Sequence, residues 1–453
     1  MNETAGNRIQ ITEGNVLKTL IVFAIPFLIA NILQSLYGAV DLFVVGRYCS
    51  AESVAAVSTG TQVTQIVTSL VTGLTLGSTI LIGEYTGSGQ LNMVKKTIGT
   101  TLTVFLMVAV LISAEMLVFE RPLLTLLGTP AESFELTMQY VAICALGNVF
   151  VCGYNAISAI LRGYGDSKSP MYFVLISCIL NVILDVVFVK YCGMDVAGTA
   201  LATIISQGIS MVIAIVKLKL QNFIFDFKPA SFRPDGLMVK RLAQIGIPIS
   251  FQELMIRISF LYLMVVMNRC GVYAAAVVGI SSKYDVFAML TGTSIASALA
   301  AITAQNLGAG KPERARKSLW YGLTFAVAVS CVFWIWAQLS PETMIGLFTK
   351  DERIVEAGVP FFHYCSYDYI MVTFVFILNG YLNGCQKTVW TMVSSSVGAL
   401  VLRIPLVWYF GSHFSGNIGS LGMIAPTVSG IMAAYTLAYV LWGMRNHKKE
   451  EVV

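Results

Sequence analysis

The sequence predicts an all-α integral membrane protein: twelve transmembrane helices in two six-helix lobes, related by a pseudo-twofold axis along the membrane normal. Three observations predict it. Of 453 residues, 56% are hydrophobic and only 12% are charged, with mean hydropathy +0.76; soluble domains carry about 25% charged residues. Apolar runs of about 20 residues, each long enough to cross a bilayer, recur along the whole chain. The two halves of the chain also repeat one another.

The spans centre near residues 28, 70, 108, 147, 181, 206, 255, 288, 329, 369, 399 and 432. Those near 147 and 288 are the more polar, with several Asn, Ser, Thr or charged residues. The first follows a polar stretch, Met1 to Asn15, that lacks a signal-peptide pattern, so it is expected to stay in the protein. Pro26 lies early in the first span and Pro248 early in the seventh. Each removes a helix hydrogen bond, so each helix is expected to bend there, as a moving hinge or as a static kink. The second span carries Gly73-Leu-Thr-Leu-Gly77, a small-residue spacing that marks close helix packing.

The repeat is legible residue by residue. Gly87, Gly89, Lys96 and Gly163 find Gly308, Gly310, Lys317 and Gly384 at one shift of 221 residues, and Pro26 finds Pro248 at 222. Leu161-Arg162-Gly163 answers Leu382-Asn383-Gly384 in the same way. Six helices per half is an even number, so both halves share one orientation. Such geometry leaves a cleft near the midplane, where transporters bind substrate. The expected organisation is an N-lobe over 1–216, a cytoplasmic linker over 217–237 and a C-lobe over 238–453. The linker region is basic and contains Pro229 and Pro234.

The basic residues follow topology. With both termini inside, twenty Lys and Arg lie in the cytoplasm and six outside, a clear positive-inside bias; the expected location is the plasma (inner) membrane. The remaining three, Arg257, Lys283 and Arg403, fall within spans. A net charge of +5 needs no nucleic-acid partner once topology accounts for it. Nine cysteines show no CxxC or paired spacing and read as small apolar side chains.

Chemistry is sought where charge meets lipid depth. Asp41 shares a narrow helical stripe with Gln34 and Tyr37 on the first span. An ionisable side chain at that depth costs about 2.5–3.5 kcal/mol on insertion scales and is normally turned into the bundle and used. Asn181 and Asp185 share one face of the fifth span, Asn155 lies late in the fourth and Thr203 in the sixth. Two carboxylates, two amides and a hydroxyl make an oxygen-only donor set. It suits a hard cation such as Na⁺, and two close carboxylates suit a shared proton. The plainer alternative is that each polar group bonds a neighbouring helix.

The second half carries Glu253 and Arg257 four residues apart, Lys283 and Asp285 on the eighth span, and Asp368 on the tenth. Glu253 and Arg257 have the spacing of an internal ion pair. Lys283 is placed to neutralise Glu253 or Asp368 and would compete with any cation there. Tyr37, Tyr140, Met171, Met255 and Tyr284, with Gln34, are candidate linings for a greasy cavity that stacks on organic cations, or are ordinary packing. Gly308-Ala-Gly-Lys311 lacks the first glycine, the Ser/Thr and the strand of a phosphate loop. There is no HExxH or GxSxG, and His363, His413 and His447 are scattered, so an enzyme has no visible nucleophile or metal set. No cofactor is expected, nor any metal beyond Na⁺ at the coupling site.

The Pro26…Gln34…Tyr37…Asp41…Val45-Gly46 pattern, the paired glycine phrases, and Arg162-Gly163-Tyr-Gly-Asp166-Ser-Lys168 resemble multidrug and toxic compound extrusion (MATE) transporters from about Gly14 to Arg445. The resemblance implies export of small organic, often cationic and amphiphilic compounds in exchange for inward Na⁺ or H⁺, by two lobes that alternate access. It implies a cation site at Asp41, Asn155, Asn181, Asp185 and Thr203, which match family positions on helices one, four, five and six. Glu253 and Asp368 match acids that another branch uses in its second lobe, from which Arg257 and Lys283 depart. A rival within the broader superfamily is a flippase for a lipid-linked oligosaccharide, for which Arg257, Lys283 and Arg403 would meet phosphate. Membrane lipids are the expected surroundings, and nothing demands more than a monomer.

Overall fold

The computed structural model describes residues 9–220, 223–269, 271–413 and 418–450; the first eight residues of the polar N-terminal stretch and the linker residues Gln221 and Asn222 lie outside them. All regular structure among the described residues is helical. The first six spans are α1 (Val16–Tyr48), α2 (Ala51–Gly87), α3 (Leu91–Leu126), α4 (Ala131–Tyr164), α5 (Lys168–Asp185) and α6 (Asp195–Leu220). Beyond the linker come α7 (Gly236–Arg269), α8 (Val272–Gly308), α9 (Pro312–Leu339) and the short α10 (Pro341–Gly346). The tenth span joins α11 (Glu352–Cys365) to α12 (Tyr367–Gly384). The eleventh runs through α13 (Thr388–Ser396) and α14 (Ile404–His413), and the twelfth through α15 (Ile418–Gly422) and α16 (Ile424–Glu450). Among the described residues twelve helical stretches are long and apolar enough to cross a membrane, and every predicted centre falls inside one of them. This is a multi-pass membrane protein whose described spans are all helices, which satisfy their own backbone groups where lipid offers no partner.

Two stretches are π-helical rather than α-helical: Val186–Tyr191, directly after Asp185, and Val397–Arg403, which ends on an arginine. Both fall in the fifth span of their half. A π segment widens the turn, re-aims the side chains around it, and is commonly found at functional sites.

The chain forms two compact units. One is built chiefly on Ile25–Ser250, together with Gly308–Gly310; the other is built on Gly14–Ala24, Phe251–Leu307 and Lys311–Val453. The divisions inside α1 and α7 fall within two residues of Pro26 and Pro248. In the first unit α4 packs against α2, α3 and α6, and α5 against α6. In the second, α12 packs against α9 and α16.

The repeated glycines do matching work in the two units. Gly89 and Gly310 close the turns after α2 and α8 at φ +71° and +68°, a left-handed conformation that favours glycine. Gly163 on α4 meets α2 so closely that a Cβ there would sit 2.7 Å from the Thr79 carbonyl oxygen. Gly384 on α12 meets α8 likewise, with 2.6 Å to the Ala300 carbonyl oxygen. Gly73 and Gly77 close on the first half of α7: a Cβ on Gly73 would lie 2.2 Å from the Ser250 nitrogen, and one on Gly77 would lie 3.0 Å from the Gly246 Cα. Ser250 completes that seam by donating to the Leu70 carbonyl at 2.6 Å.

The start of α7 is pinned in the same unit. Arg241 holds both carboxylate oxygens of Glu84 at 2.8 and 3.2 Å. Asp235 accepts the Leu237 and Met238 amides at 3.0 and 3.2 Å and pairs with Lys96 at 3.2 Å. The Met238 amide and then Lys96 hold the Asp235 carboxyl below the usual carboxylate range. The linker seats on α3, with Thr103 donating to the Phe232 carbonyl at 2.5 Å. Below it, apolar side chains from α3, α4 and α6 with Phe223, Phe227 and Phe232 enclose a cavity of about 130 Å³.

Replacing Gly73 by Val is expected to destabilise the detergent-solubilised protein by about 1–3 kcal/mol, because the new methyl groups meet backbone rather than a movable side-chain tip. Gly279→Ala, whose Cβ meets nothing within 4 Å, should leave the melting temperature unchanged or raise it. Equal melting of Gly73→Val and wild type would refute the seam.

Candidate functional site

Asp41 projects from α1 and is 3% exposed; Asn181 and Asp185 project from α5 and are fully buried. The Asp41 carboxyl stands beside Asp185, Asn181 and Thr203, close enough for their charges and dipoles to act on it. Thr203 on α6 donates its hydroxyl to Asp41 Oδ2 at 3.3 Å. Three helices thus converge, and four of the five residues expected to share a pocket meet.

The fifth, Asn155, is half-buried and turned onto its own helix, its amide nitrogen donating to the Val151 carbonyl at 2.9 Å. That spends one of its donors and leaves its amide oxygen as an acceptor.

The cage around the acids has a second layer. Tyr37, one helical turn before Asp41, donates to the Thr203 carbonyl at 3.3 Å and pairs with the Ser206 hydroxyl. Ser177 on α5 also faces the Tyr37 hydroxyl. Sequence reasoning missed Ser177 and Ser206. The Thr203…Ser206…Ser210 spacing on α6 was the available sign, since it sets three hydroxyls on one side of that helix. Tyr37, a candidate for cavity lining or for packing, braces α1 against α6.

The acids are not neutralised by bases. Among the described residues neither Asp41 nor Asp185 forms an ion pair. Asp41 Oδ1, both Asp185 oxygens and both Asn181 amide atoms accept or donate no hydrogen bond of normal geometry. Buried polar groups are normally satisfied, and a cluster left open is costly unless something fills it. No group of three or more His, Cys, Asp or Glu is placed to hold a metal among the described residues. The donor set is two carboxylates with neutral oxygens, which suits a monovalent cation or a proton better than a tightly held transition metal.

The second unit arranges its charges differently. Glu253 is half-buried and within electrostatic reach of Arg257, but no ion pair closer than 4 Å joins them, so the spacing-based expectation of a pair is not met. Arg257 and Lys283 are both exposed, and Lys283 pairs with neither Glu253 nor Asp368. Inside, Arg403 is 7% exposed, donates to Ser259 Oγ at 3.3 Å, and stands 4.4 Å from the centre of the Phe260 ring. It is the base that Asp285 and Asp368 feel, with Asp368 also facing Ser429 and Asp285 facing Ser281. The buried cation within reach of these two acids is therefore Arg403 rather than Lys283.

The remaining cavity candidates divide. Gln34 is exposed and Met171 half-buried, while Tyr140, Met255 and Tyr284 are buried. Tyr140 lies on the Gly60 backbone, and Tyr284 sits among Trp336, Phe348 and Phe362 while donating to the Met344 carbonyl at 2.8 Å. In this conformation both rings serve the core.

Helix number, repeat and buried intramembrane acids define a membrane transporter, and comparison with known proteins assigns the family. A family model described as MatE matches residues 26–187 and again 248–409, and the chain belongs to that family. A probable multidrug resistance protein, YpnP of Bacillus subtilis (strain 168), is 26% identical over 415 residues, covering 91% of each chain. An FAD transporter of Shewanella oneidensis is 25% identical over 437 residues, covering 93% of this chain and 94% of that one. A crystal structure of MATE in the bent conformation aligns with TM-score 0.91 at 20% identity, over 98% of this chain and 99% of that one. The repeat read from the sequence is the doubled family match, and members of this family are transporters, not enzymes.

Replacing Tyr37 by Phe leaves the Ser206 hydroxyl without its α1 partner. It is expected to lower unfolding stability by about 0.5–1.5 kcal/mol, measured by thermal melting in detergent. An unchanged melting temperature would show that this hydroxyl pair does not brace α1.

Proposed function

We propose that the chain exports small organic solutes as a secondary antiporter driven by inward Na⁺ or H⁺, with Asp41 and Asp185 holding the coupling ion. The observation that carries this reading is the buried meeting of two carboxylates from α1 and α5, with oxygen donors around them and no base. An ion arriving there cancels the repulsion between the two acids. Thr203 and Asn181 offer neutral oxygens to the same point, while Tyr37 with Ser206 fixes the angle at which α1 presents Asp41.

Because Asp41 and Asp185 lie on different helices, ion binding favours the conformation that keeps α1 and α5 together. Solute and ion need only bind the two states of alternating access with different affinity for exchange to follow. The membrane potential contributes about 2.3 kcal/mol per charge per 100 mV, beyond any concentration gradient. The π segment after Asp185 and the prolines at the unit divisions are the places where such a change is accommodated with least loss of helix bonding. The names of two relatives, a multidrug resistance protein and an FAD transporter, support an organic solute as cargo. The same reading has the chain working as a monomer in the inner membrane with both termini in the cytoplasm, and without a cofactor.

The test is ethidium efflux from everted vesicles or proteoliposomes, with Na⁺ and pH gradients imposed separately. One gradient should drive wild-type efflux. Asp41→Asn and Asp185→Asn should each abolish it at equal membrane insertion and similar melting temperature. At about 100 times its dissociation constant the coupling ion should stabilise the wild type by about 2.7 kcal/mol and neither variant. Undiminished efflux by Asp41→Asn at equal expression would sink the assignment.

A further inference from the structure

We propose that the first unit holds one acyl chain of an anionic phospholipid in the cavity beneath the linker, with the lipid phosphate at Lys219. The inference goes beyond the export reading and borrows from it only the topology, which assigns the lipid to the cytoplasmic leaflet.

The cavity measures about 130 Å³, and every residue lining it is apolar. Leu102 of α3, Ile157 of α4 and Ile215 of α6 form its walls, and Phe223, Phe227 and Phe232 of the linker close its end. That end is braced from behind: the buried Phe225 sets its ring edge-on against Phe227 at 5.1 Å and Phe232 at 5.4 Å. Rings packed in this way do not fold inward to fill the space. A void costs its lining the dispersion contacts it would otherwise make. An apolar cavity of about this size takes an apolar guest rather than water.

Position selects the guest. Among the described residues α3 and α6 both pack along α4 but make no extended contact with each other, so a gap between them leads to the cavity. The walls are only half-buried at Leu102 and Ile215, and Leu106, Val212 and Val216 beside them are 54%, 53% and 48% exposed. α3 is also the least buried of the twelve spans. A gap flanked by exposed apolar side chains on a peripheral helix meets bilayer hydrocarbon. The cavity reaches Leu218, close to the end of α6 at Leu220, which is the level of the first methylenes beneath a headgroup.

Charge at this end favours an anionic lipid. Lys219 is exposed, forms no ion pair among the described residues, and its ammonium stands 5.8 Å from the centre of the Phe227 ring. The linker acids are already engaged: Asp226 accepts from the Ser231 hydroxyl at 2.6 Å and pairs with Lys228 at 3.8 Å, and Asp235 pairs with Lys96. An ammonium at the end of an apolar slot matches a phosphate carried on an acyl chain.

The test reconstitutes the purified full chain in phosphatidylcholine vesicles with a trace of lipid bearing a photoreactive diazirine in its acyl chain. The labelled lipid is either phosphatidylglycerol or phosphatidylcholine, and labelled peptides are mapped by mass spectrometry. Phosphatidylglycerol should label the segments around Leu102, Ile215 and Phe223 several-fold above the other lipid-facing spans. Leu102→Trp fills the cavity and should lower labelling at Ile215 and Phe223 about tenfold while melting no lower than wild type. Ile215→Phe fills the same space from another wall and should lower labelling at Leu102 and Phe223 likewise. Lys219→Glu should reduce the ratio of phosphatidylglycerol to phosphatidylcholine label about fivefold, and Lys219→Arg should keep it. Label spread evenly over the spans, or unchanged in both filled variants, overturns the cavity as a lipid site. A ratio unmoved by Lys219→Glu overturns the headgroup assignment. Ethidium efflux is scored separately: its absence fails the export reading and leaves the labelling pattern to stand or fall by itself.

Discussion

Each unit is held by helices that close on one another where a side chain is missing. Apolar side chains gain little by leaving lipid for a helix neighbour, so association depends on tight packing and on interhelical hydrogen bonds. Gly163 against the Thr79 carbonyl and Gly384 against the Ala300 carbonyl are the same solution used twice. Gly73 and Gly77 against Ser250 and Gly246 extend it to the first half of α7. Close backbone approach fixes the distances between helices, and through them the point at which side chains from α1, α5 and α6 converge.

That convergence carries the stored cost of the fold. Placing Asp41 and Asp185 in one buried site, with Asn181 beside them, opposes folding through desolvation and like-charge repulsion. In the second unit Arg403 lies within electrostatic reach of Asp285 and Asp368, although no ion pair within 4 Å joins them. The contrast separates the two halves of a repeated design. The same helical scaffold holds an acid cluster without a base in one unit and acids within reach of a buried arginine in the other.

Much of this was legible in the residues. Twelve apolar runs are unmistakable because lipid demands them, and the 221-residue shift was visible because glycines at turns and close crossings tolerate little substitution. Asp41, Asn181, Asp185 and Thr203 could be grouped because charge and amide groups at lipid depth are scarce and must face inward. Less legible was the pairing of charges. Glu253 and Arg257 have helical spacing for an ion pair, yet spacing fixes only a shared face and not the rotamers that turn Arg257 outward. Asn155 likewise shares the right depth but spends its amide on its own helix. The roles of Tyr37, Tyr140 and Tyr284 were open because an aromatic residue looks the same in a sequence whether it lines a cavity or fills a core.

The sequence by itself determined a helical membrane protein of two repeated halves and the set of polar groups that lipid forces inward. Periodicity, composition and the cost of charge in hydrocarbon are local properties. Only the tertiary structure decided which of those groups meet. It brought Asp41 to Asp185 without a base, buried Arg403 within electrostatic reach of Asp285 and Asp368, and left Arg257 and Lys283 exposed. Those choices depend on how helices distant in sequence rotate against one another, and a single chain carries no local record of that rotation.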